Sequence, residues 1–546
     1  MLADTRFLQT ACLVFVAAAL PACSDTGAIE LQLAFPDDEL APLLGEVAEV
    51  SLLYWESGEA TSRITRPVTD HNASLVIDEF PAGQALRMAV ELRSGTQRLI
   101  GFGRTPDEIE IEAGVARVVT IEIRRPFVYL GGASGVDAID TSRDASAAPG
   151  SVLRSIDLST PAQVAVPTYN GKQLVVITAR HEDPLDDTSA LISDLRLVAT
   201  GNHQPLSVPV DLFAPASDVA VSADGRYAVV AHDGATGGVS VVDLFAARDG
   251  REEITFLPLG SVGRVSAGAE DPARVFALVD RIDGLDCTSP TSKVVEISLA
   301  NGASIVQEIE LGAPAQDLAA ADDGAFLVVA DSCTPSPNSG VPGTLWRVPI
   351  GPGEVSSFDA PIIRNVSAVA LWNKRMWAVT SEIAPADPSQ QGNAQIRVLA
   401  LDLEGDTQTV IDLPPFALEV ETPVFSDTGQ VAALEVDADG IYAFDLAVVP
   451  GAGGIALLFE GTYFSQPSRL DGNLIVSAMD IRTVEYMLVD VATTTPVQHV
   501  ITRCDIVQLD PGALIVDWGC ARGDDVSITE GNASEPLGIS VLYGSR

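Results

Sequence analysis

Apart from its acids, this 546-residue sequence carries few groups able to do chemistry: six cysteines and five histidines, beside 75 aspartates and glutamates. It has no Gly-x-Ser-x-Gly elbow, no His-Glu-x-x-His pair and no phosphate-cradling glycine loop. Carboxylates recur at one kind of place, where an apolar run ends: Asp233, Asp280, Asp331, Glu382, Asp437, Asp480 and Asp517. Converging carboxylates would suit Ca²⁺, which takes roughly six to eight oxygen ligands. Dispersed ones would only solvate loop mouths and cap turns. His181 and His232 occupy similar places, with Glu182, Asp183 and Asp233 beside them. Such a cluster could hold a metal or supply a general base; the alternative is a solvated pair of loop histidines. The metal candidates are therefore His181, His232, Asp233, Asp280 and Asp331, with Ca²⁺ the one cofactor in view. No catalytic residue can be named.

These residues are positioned by a repeat. The clearest copy is Ala216–Leu259: Ala-Ser-Asp-Val-Ala-Val, the turn Ser222-Ala-Asp-Gly-Arg226, Tyr-Ala-Val-Val-Ala, Val239-Ser-Val-Val-Asp-Leu244 and Ile254-Thr-Phe-Leu-Pro-Leu259. Short runs rich in Val and Ile, punctuated by turn residues, predict four strands. Turn glycines recur at Gly171, Gly225, Gly324, Gly429, Gly472 and Gly512, with substitute turns at Asp271-Pro-Ala-Arg274 and Asn373-Lys-Arg375. The mean interval is about 49 residues, near the length of a propeller blade. Pro215-Ala-Ser-Asp218 matches Pro314-Ala-Gln-Asp317, and Asp224-Gly225 falls on Asp323-Gly324 at the same offset. The third strand repeats as Val398–Leu403, Ile441–Leu446 and Tyr486–Val491. The predicted fold is all-β: a β-propeller over residues 126–546, eight blades by repeat count with seven left open, behind an N-terminal β-sandwich. Outer strands from Phe127–Gly132, Val136–Asp140 and Val152–Leu158 are expected to close the ring with the hairpin Ile506–Trp518, and Gly538–Tyr543 is a further strand that ends the chain.

Ser222-Ala-Asp-Gly-Arg-Tyr-Ala-Val-Val-Ala-His232, followed by Val239–Leu244, resembles the YVTN-type, lactonase-like β-propellers. That resemblance implies a propeller and leaves function open, because propellers host many activities. In such a ring the connections between second and third strands share one face. Here they are the long ones: Arg180–Ser189, Asp280–Ser292, Asp331–Gly343, Ser381–Asn393 and Trp518–Asn532. Long loops on a rigid scaffold are the usual place for binding. Cys287, Cys333, Cys504 and Cys520 map to that face, and disulfides Cys287–Cys333 and Cys504–Cys520 are predicted. A cysteine metal site is the alternative, although no Cys-x₂-Cys spacing occurs.

The formal net charge of −43 repels phosphate, so nucleic acid is not an expected partner. Residues 7–22 form an apolar stretch too short for a stable span, and residues 1–22 read as a signal peptide. Leu20-Pro21-Ala22-Cys23 resembles a bacterial lipobox, with Cys23 the lipidated residue and Ser24 favouring the outer membrane. Residues 24–125 alternate in short strands and resemble transthyretin-like or carboxypeptidase-regulatory-like sandwiches through Phe80-Pro-Ala-Gly83, Met88–Leu92 and Ile109–Gly114. The expected protein is thus a lipid-anchored propeller of the bacterial cell envelope, acting as a binding scaffold for a protein or glycan partner. The alternative is an exported lactonase-like hydrolase with its site on the same loop face.

Overall fold

The computed structural model describes most of residues 26–357, strands alone between 366 and 502, and a last strand at 540–542. The other residues, among them 1–25, 182–190, 281–291, 331–344 and 503–539, lie outside this description. The chain divides into two compact units, residues 1–127 with 140–144, and residues 128–139 with 145–546. No described helix is long and apolar enough to cross a membrane.

The first unit holds β1 (Thr26–Ala34), β2 (Val47–Trp55), β3 (Ser62–Pro67), β4 (Val76–Pro81), β5 (Ala85–Ser94), β6 (Leu99–Arg104), β7 (Ile109–Glu110) and β8 (Ala116–Glu122). One sheet runs β4-β1-β8, with β1 and β8 parallel; the other runs β3-β2-β5-β6, with β7 paired to β5. Ile29, Leu31, Val119 and Ile121 from the first sheet share a core with Leu52, Met88, Val90 and Ile100 from the second. On β8, Val118, Thr120 and Glu122 are exposed while Val119 and Ile121 are buried, the alternation of a strand wet on one face. On the other side of β5, Glu91 is buried and accepts from Arg63 and from Arg93 Nε at 3.1 Å, so the charge enters the interior paired.

The second unit begins with β9 (Phe127–Gly132), β10 (Gly135–Asp140) and β11 (Leu153–Asp157). The next sheet holds β12 (Ala162–Pro167), β13 (Gln173–His181), β14 (Leu191–Ala199), β15 (Gln204–Pro205) and β16 (Val210–Asp211). β17 (Ala216–Val221), β18 (Tyr227–His232), β19 (Gly238–Asp243) and β20 (Ile254–Pro258) follow, with the short helix α1 (Leu244–Arg248) after β19. Then come β21 (Val262–Ala267), β22 (Arg274–Val279), β23 (Lys293–Ser298) and β24 (Ser304–Glu310), and next β25 (Asp317–Ala320), β26 (Phe326–Ala330), β27 (Leu345–Pro349) and β28 (Ser356–Ser357). Three more sets are β29 (Val366–Trp372), β30 (Arg375–Ile383), β31 (Ala394–Asp402) and β32 (Gln408–Asp412); β33 (Val424–Phe425), β34 (Val431–Val436), β35 (Gly440–Asp445) and β36 (Ile455–Phe459); and β37 (Ser468–Leu470), β38 (Asn473–Asp480), β39 (Glu485–Asp490) and β40 (Val497–Thr502). β41 (Ser540–Leu542) lies beside β9, in the order β11-β10-β9-β41.

Sequential strands pair within each set, as in a propeller blade. The first strands touch in the order β41, β12, β17, β21, β25, β29, and again β33, β37, β41, so β41 joins the two ends of the series. The early segment therefore supplies three strands of the closing sheet and the chain's far end supplies one. The hairpin Ile506–Trp518, expected in that role, lies outside the described residues. Tyr129 of β9 is fully buried, and its hydroxyl sits 3.0 Å from His203 Nδ1 in the turn after β14. That contact ties the closing sheet to the next.

Both faces of β18 are buried, which explains why it reads as an unbroken apolar run. On β18, Val229 and Ala231 pack towards Val265, Val275 and Ala277 of the following sheet, whereas Ala228 and Val230 pack towards Val175, Ile177 and Leu195 of the preceding one. The Asp-Gly turn is built as the sequence suggests. Ser222 Oγ donates to Asp224 Oδ1 at 2.6 Å and accepts from Tyr227 N, while Gly225 turns at φ 68°. The recurrent Asp at the end of the third strand also has a physical role here. Asp243 Oδ1 accepts from Phe245 N and Ala246 N, capping α1, and Oδ2 accepts from Arg226.

Candidate functional site

Antiparallel order puts the turn between first and second strands at one end of a sheet. The connection from second to third strand, and the one from fourth strand to the next sheet, fall at the other end. That second end carries the long connections 182–190, 280–292, 331–344 and 384–393. The β17–β20 sheet differs from these four, as do the β33–β36 and β37–β40 sheets, whose second and third strands are joined by 437–439 and 481–484. In the β17–β20 sheet those strands are joined by Asp233–Gly237 alone. Glycine permits this close approach: a Cβ on Gly237 would lie 2.2 Å from His232 O, and one on Gly238 2.2 Å from Leu257 O.

His232 closes β18 and is fully buried. Its Nδ1 lies 3.0 Å from Pro215 O and its Nε2 2.7 Å from Ser240 Oγ. Burial holds the imidazole below its ordinary value, opposed by the carbonyls of Pro215 and Ala214, so the neutral ring is favoured. Both nitrogens are engaged inside the protein, which corrects the reading of His232 as a loop-mouth metal ligand. The ring instead clamps the connection 212–215 that leads into β17. Ser193 Oγ accepts from Ala216 N at 3.1 Å and fastens the same connection from the other side.

That connection presents an aromatic ring. Val210 and Leu212 are buried while Asp211 and Phe213 are exposed, so an acid and an aromatic share the outward side of one extended segment. Phe213 is 61% exposed and packs against Phe256 of β20, with ring centroids 5.0 Å apart and the planes tilted by 41°. His232 lies beneath, its ring 6.1 Å from that of Phe256. Asp211 pairs across the sheet with Asp194, whose carboxyl is raised above the ordinary range by burial and by its hydrogen bond with Asp211, against the pull of Arg180 and Arg196. Asp233 is exposed and held by Ser261 Oγ and by Gly234 N at 2.6 Å.

The other metal candidates are dispersed. His181 ends β13 opposite Leu191, half-buried. Asp280 forms a turn at φ 56°, its N–H donating to Ser261 O at 2.7 Å and its carbonyl accepting from Ser292 Oγ. Asp331 and the four cysteines, Cys287, Cys333, Cys504 and Cys520, lie outside the described residues, as does Cys23. Among the described residues, no group of three or more His, Cys, Asp or Glu side chains comes together in a way that could hold a metal.

The acids with the most work to do are ones the sequence singled out only as matching letters. Asp218 and Asp317 follow the same place in β17 and β25. Each accepts from the backbone N–H after its own, Val219 or Leu318, at 2.9 Å. Each also reaches the next inner strand: Asp218 Oδ2 accepts from Val265 N at 2.9 Å, and Asp317 Oδ2 from Val369 N at 3.0 Å. Between them, Arg264 Nε on β21 lies 3.7 Å from Asp317 Oδ1. Burial raises the Asp218 carboxyl above its ordinary value, while Arg264 and the two backbone donors pull it down. These carboxylates stitch successive sheets together, which is a structural role. The matched positions of the repeat were the signal that could have identified it.

No protein-family model matches the chain, and no curated protein matches it. Among solved structures, the β-propeller domain of Myceliophteria thermophila Cps50 (Swd1) is 12% identical, with a TM-score of 0.36, over 53% of this chain and 86% of that one. The C-terminal WD40 domain of Sif2 is 13% identical, with a TM-score of 0.37, over 64% and 83%. The Dos1 propeller is 9% identical, with a TM-score of 0.44, over 62% and 84%. At these scores the likeness decides nothing about what this chain binds; the sheet order and the cyclic contacts of its first strands make the second unit a β-propeller.

Proposed function

We propose that this chain is a binding scaffold of the bacterial cell envelope, anchored by lipid at Cys23, with the loop-bearing end of an eight-bladed propeller as its binding face. The first unit serves as a β-sandwich spacer between anchor and ring, and the propeller is of the YVTN type. The observation that carries this reading is the contrast between the two ends of the sheets. First and second strands are joined by connections of two to six residues, whereas four of the second-to-third-strand connections run to nine residues or more. The central charged groups Asp218, Arg264 and Asp317 are occupied in joining sheets, which fits a rigid display frame. The partner is a protein or a glycan of the envelope, and Ca²⁺ at the loop carboxylates is retained as part of the proposal.

The test is capture from a detergent-solubilised envelope fraction by the full chain. A second chain has connections 182–190 and 281–291 each replaced by a two-residue Asn-Gly turn. A partner held by the first and lost by the second supports the scaffold. Equal retention by both, or none by either, refutes it.

A further inference from the structure

The described structure begins at Thr26, the first residue of β1, and Cys23 stands three residues before it. Three residues span at most roughly 10–11 Å. With lipid on Cys23, as proposed above, the end of the first unit where β1 begins is held at the bilayer surface. β1 is the middle strand of its sheet, so both of its neighbours contribute to that end. On one side Thr26 pairs with Pro81, the last residue of β4, and the turn 82–84 follows. On the other side Ala28 N donates to Val115 O at 3.1 Å, in the turn 112–115 that leads into β8. Gly27 fits closely into this corner: a Cβ there would lie 2.5 Å from Ile111 Cγ2 and 2.6 Å from Glu112 O.

The two turns form one surface. Gly83 N donates to Ile111 O at 2.8 Å and Ile111 N to Gln84 O at 3.0 Å, joining the segments that carry them. Gly83 and Gly114 turn at φ 84° and 69°. The first unit also exposes its apolar surface here. Among its described residues, two large apolar side chains stand at the surface, Val115 at 46% and Val118 at 51%. Ala113, Gly114 and Ala116 beside them are exposed as well. Between the turns lies a cleft of about 620 Å³, walled by Ala82, Gly83, Ile111 and Ala113 together with Glu110 and Glu112. Carboxylates are costly in hydrocarbon, so these two set the depth of contact at the headgroups.

We infer that this end of the first unit, the turns 82–84 and 112–115 with Val118 at their edge, is a second point of membrane contact, resting on the headgroups of the leaflet that holds the Cys23 lipid. A net charge of −43 gains nothing from anionic lipid, so the contact is to a zwitterionic surface. The inference rests on the anchor proposed above and adds what the protein itself contributes beside the acyl chains.

The test uses the full acylated chain on phosphatidylcholine vesicles, part of the lipid carrying bromines close to the headgroup as a quencher of tryptophan. Ala113→Trp sets a reporter in the turn. Glu122→Trp sets one at the far end of β8, about 20 Å along the strand from Ala116. Each is read against the chain without the added tryptophan. The emission added by Ala113→Trp should be quenched and that added by Glu122→Trp should not. Val115→Asp in the Ala113→Trp chain should abolish the quenching while the protein still floats with the vesicles, whereas Val115→Leu should preserve it. Vesicle-bound protein with Ala113→Trp unquenched, with equal quenching at Glu122→Trp, or with quenching that survives Val115→Asp would overturn the inference and leave the anchor standing. So would a dimer in detergent that buries Ala113→Trp and shields it from the lipid. If labelled palmitate never enters the wild-type chain, the anchor fails and this inference fails with it.

Discussion

Replacing Asp218 by Ala removes the acceptor of two backbone donors, Val219 N and Val265 N, both on buried residues. Val265 belongs to the next sheet, so its N–H loses one of the bonds between the two inner strands, another running from Ser217 Oγ to Val262 O. A hydrogen bond to a charged acceptor contributes about 1.5–3 kcal/mol, and a buried donor left alone costs about 1–3 kcal/mol. Taking about 2 kcal/mol at Val265, opening of that amide becomes about 30-fold easier. The assay is amide hydrogen exchange followed by mass spectrometry on peptides covering β17 and β21. Exchange at 262–267 should rise, while that at 174–181, on β13 of the preceding sheet, stays unchanged. Asp317→Ala should reproduce the effect one step on, at Val369. Asp218→Asn keeps one acceptor oxygen and should have a smaller effect. Unchanged exchange at 262–267 in Asp218→Ala would refute the idea that these matched acids fasten the ring.

Other outcomes follow from the same contacts. The His232 imidazole is held below its ordinary value of 6.5, so the unfolded chain takes up a proton first. Stability should therefore fall as pH drops below 6.5 towards the depressed value, and His232→Gln should shrink that fall in urea titrations at pH 7 and 5. Asp218 acts oppositely, its raised value making stability decline as pH climbs from the ordinary 3.8, so Asp218→Asn should remove that part of the curve. Gly238→Ala drives a Cβ to 2.2 Å from Leu257 O and 3.0 Å from Phe256 Cζ, and should cost about 1–3 kcal/mol in unfolding. Thiol titration of the denatured, unreduced chain tests the disulfides: Cys287, Cys333, Cys504 and Cys520 should be unreactive. Cys23→Ser should abolish incorporation of labelled palmitate and release the protein from membranes.

The architecture was legible because turn chemistry repeats with the blades. Asp224-Gly225 marked a real hairpin, and the runs around Tyr227–His232 marked strands buried on both faces. Ring closure was half legible: Phe127–Asp157 and Gly538–Tyr543 were recognisable as strand, but pattern alone did not show that Ser540–Leu542 is the one paired with β9. The chemistry was less legible, because exposure depends on neighbours distant in sequence. His232 followed by Asp233 looks like a loop cluster, yet the bond to Pro215 and the bond to Ser240 draw it inside. Phe213 looked like one more apolar residue. In the structure it is 61% exposed. The match of Asp218 to Asp317 was visible as repetition; its meaning required seeing which strand each carboxylate reached.

The most direct test of the account is a hydrogen-exchange footprint of the full chain with and without the partner captured from the envelope. The account predicts protection at 179–193 and 278–294, the sheet ends that carry the long connections, with 244–250 at the other end of the β17–β20 sheet unchanged. Protection centred on 244–250, or on the tight turns at 171 and 225, would place the partner on the wrong end of the ring and contradict it.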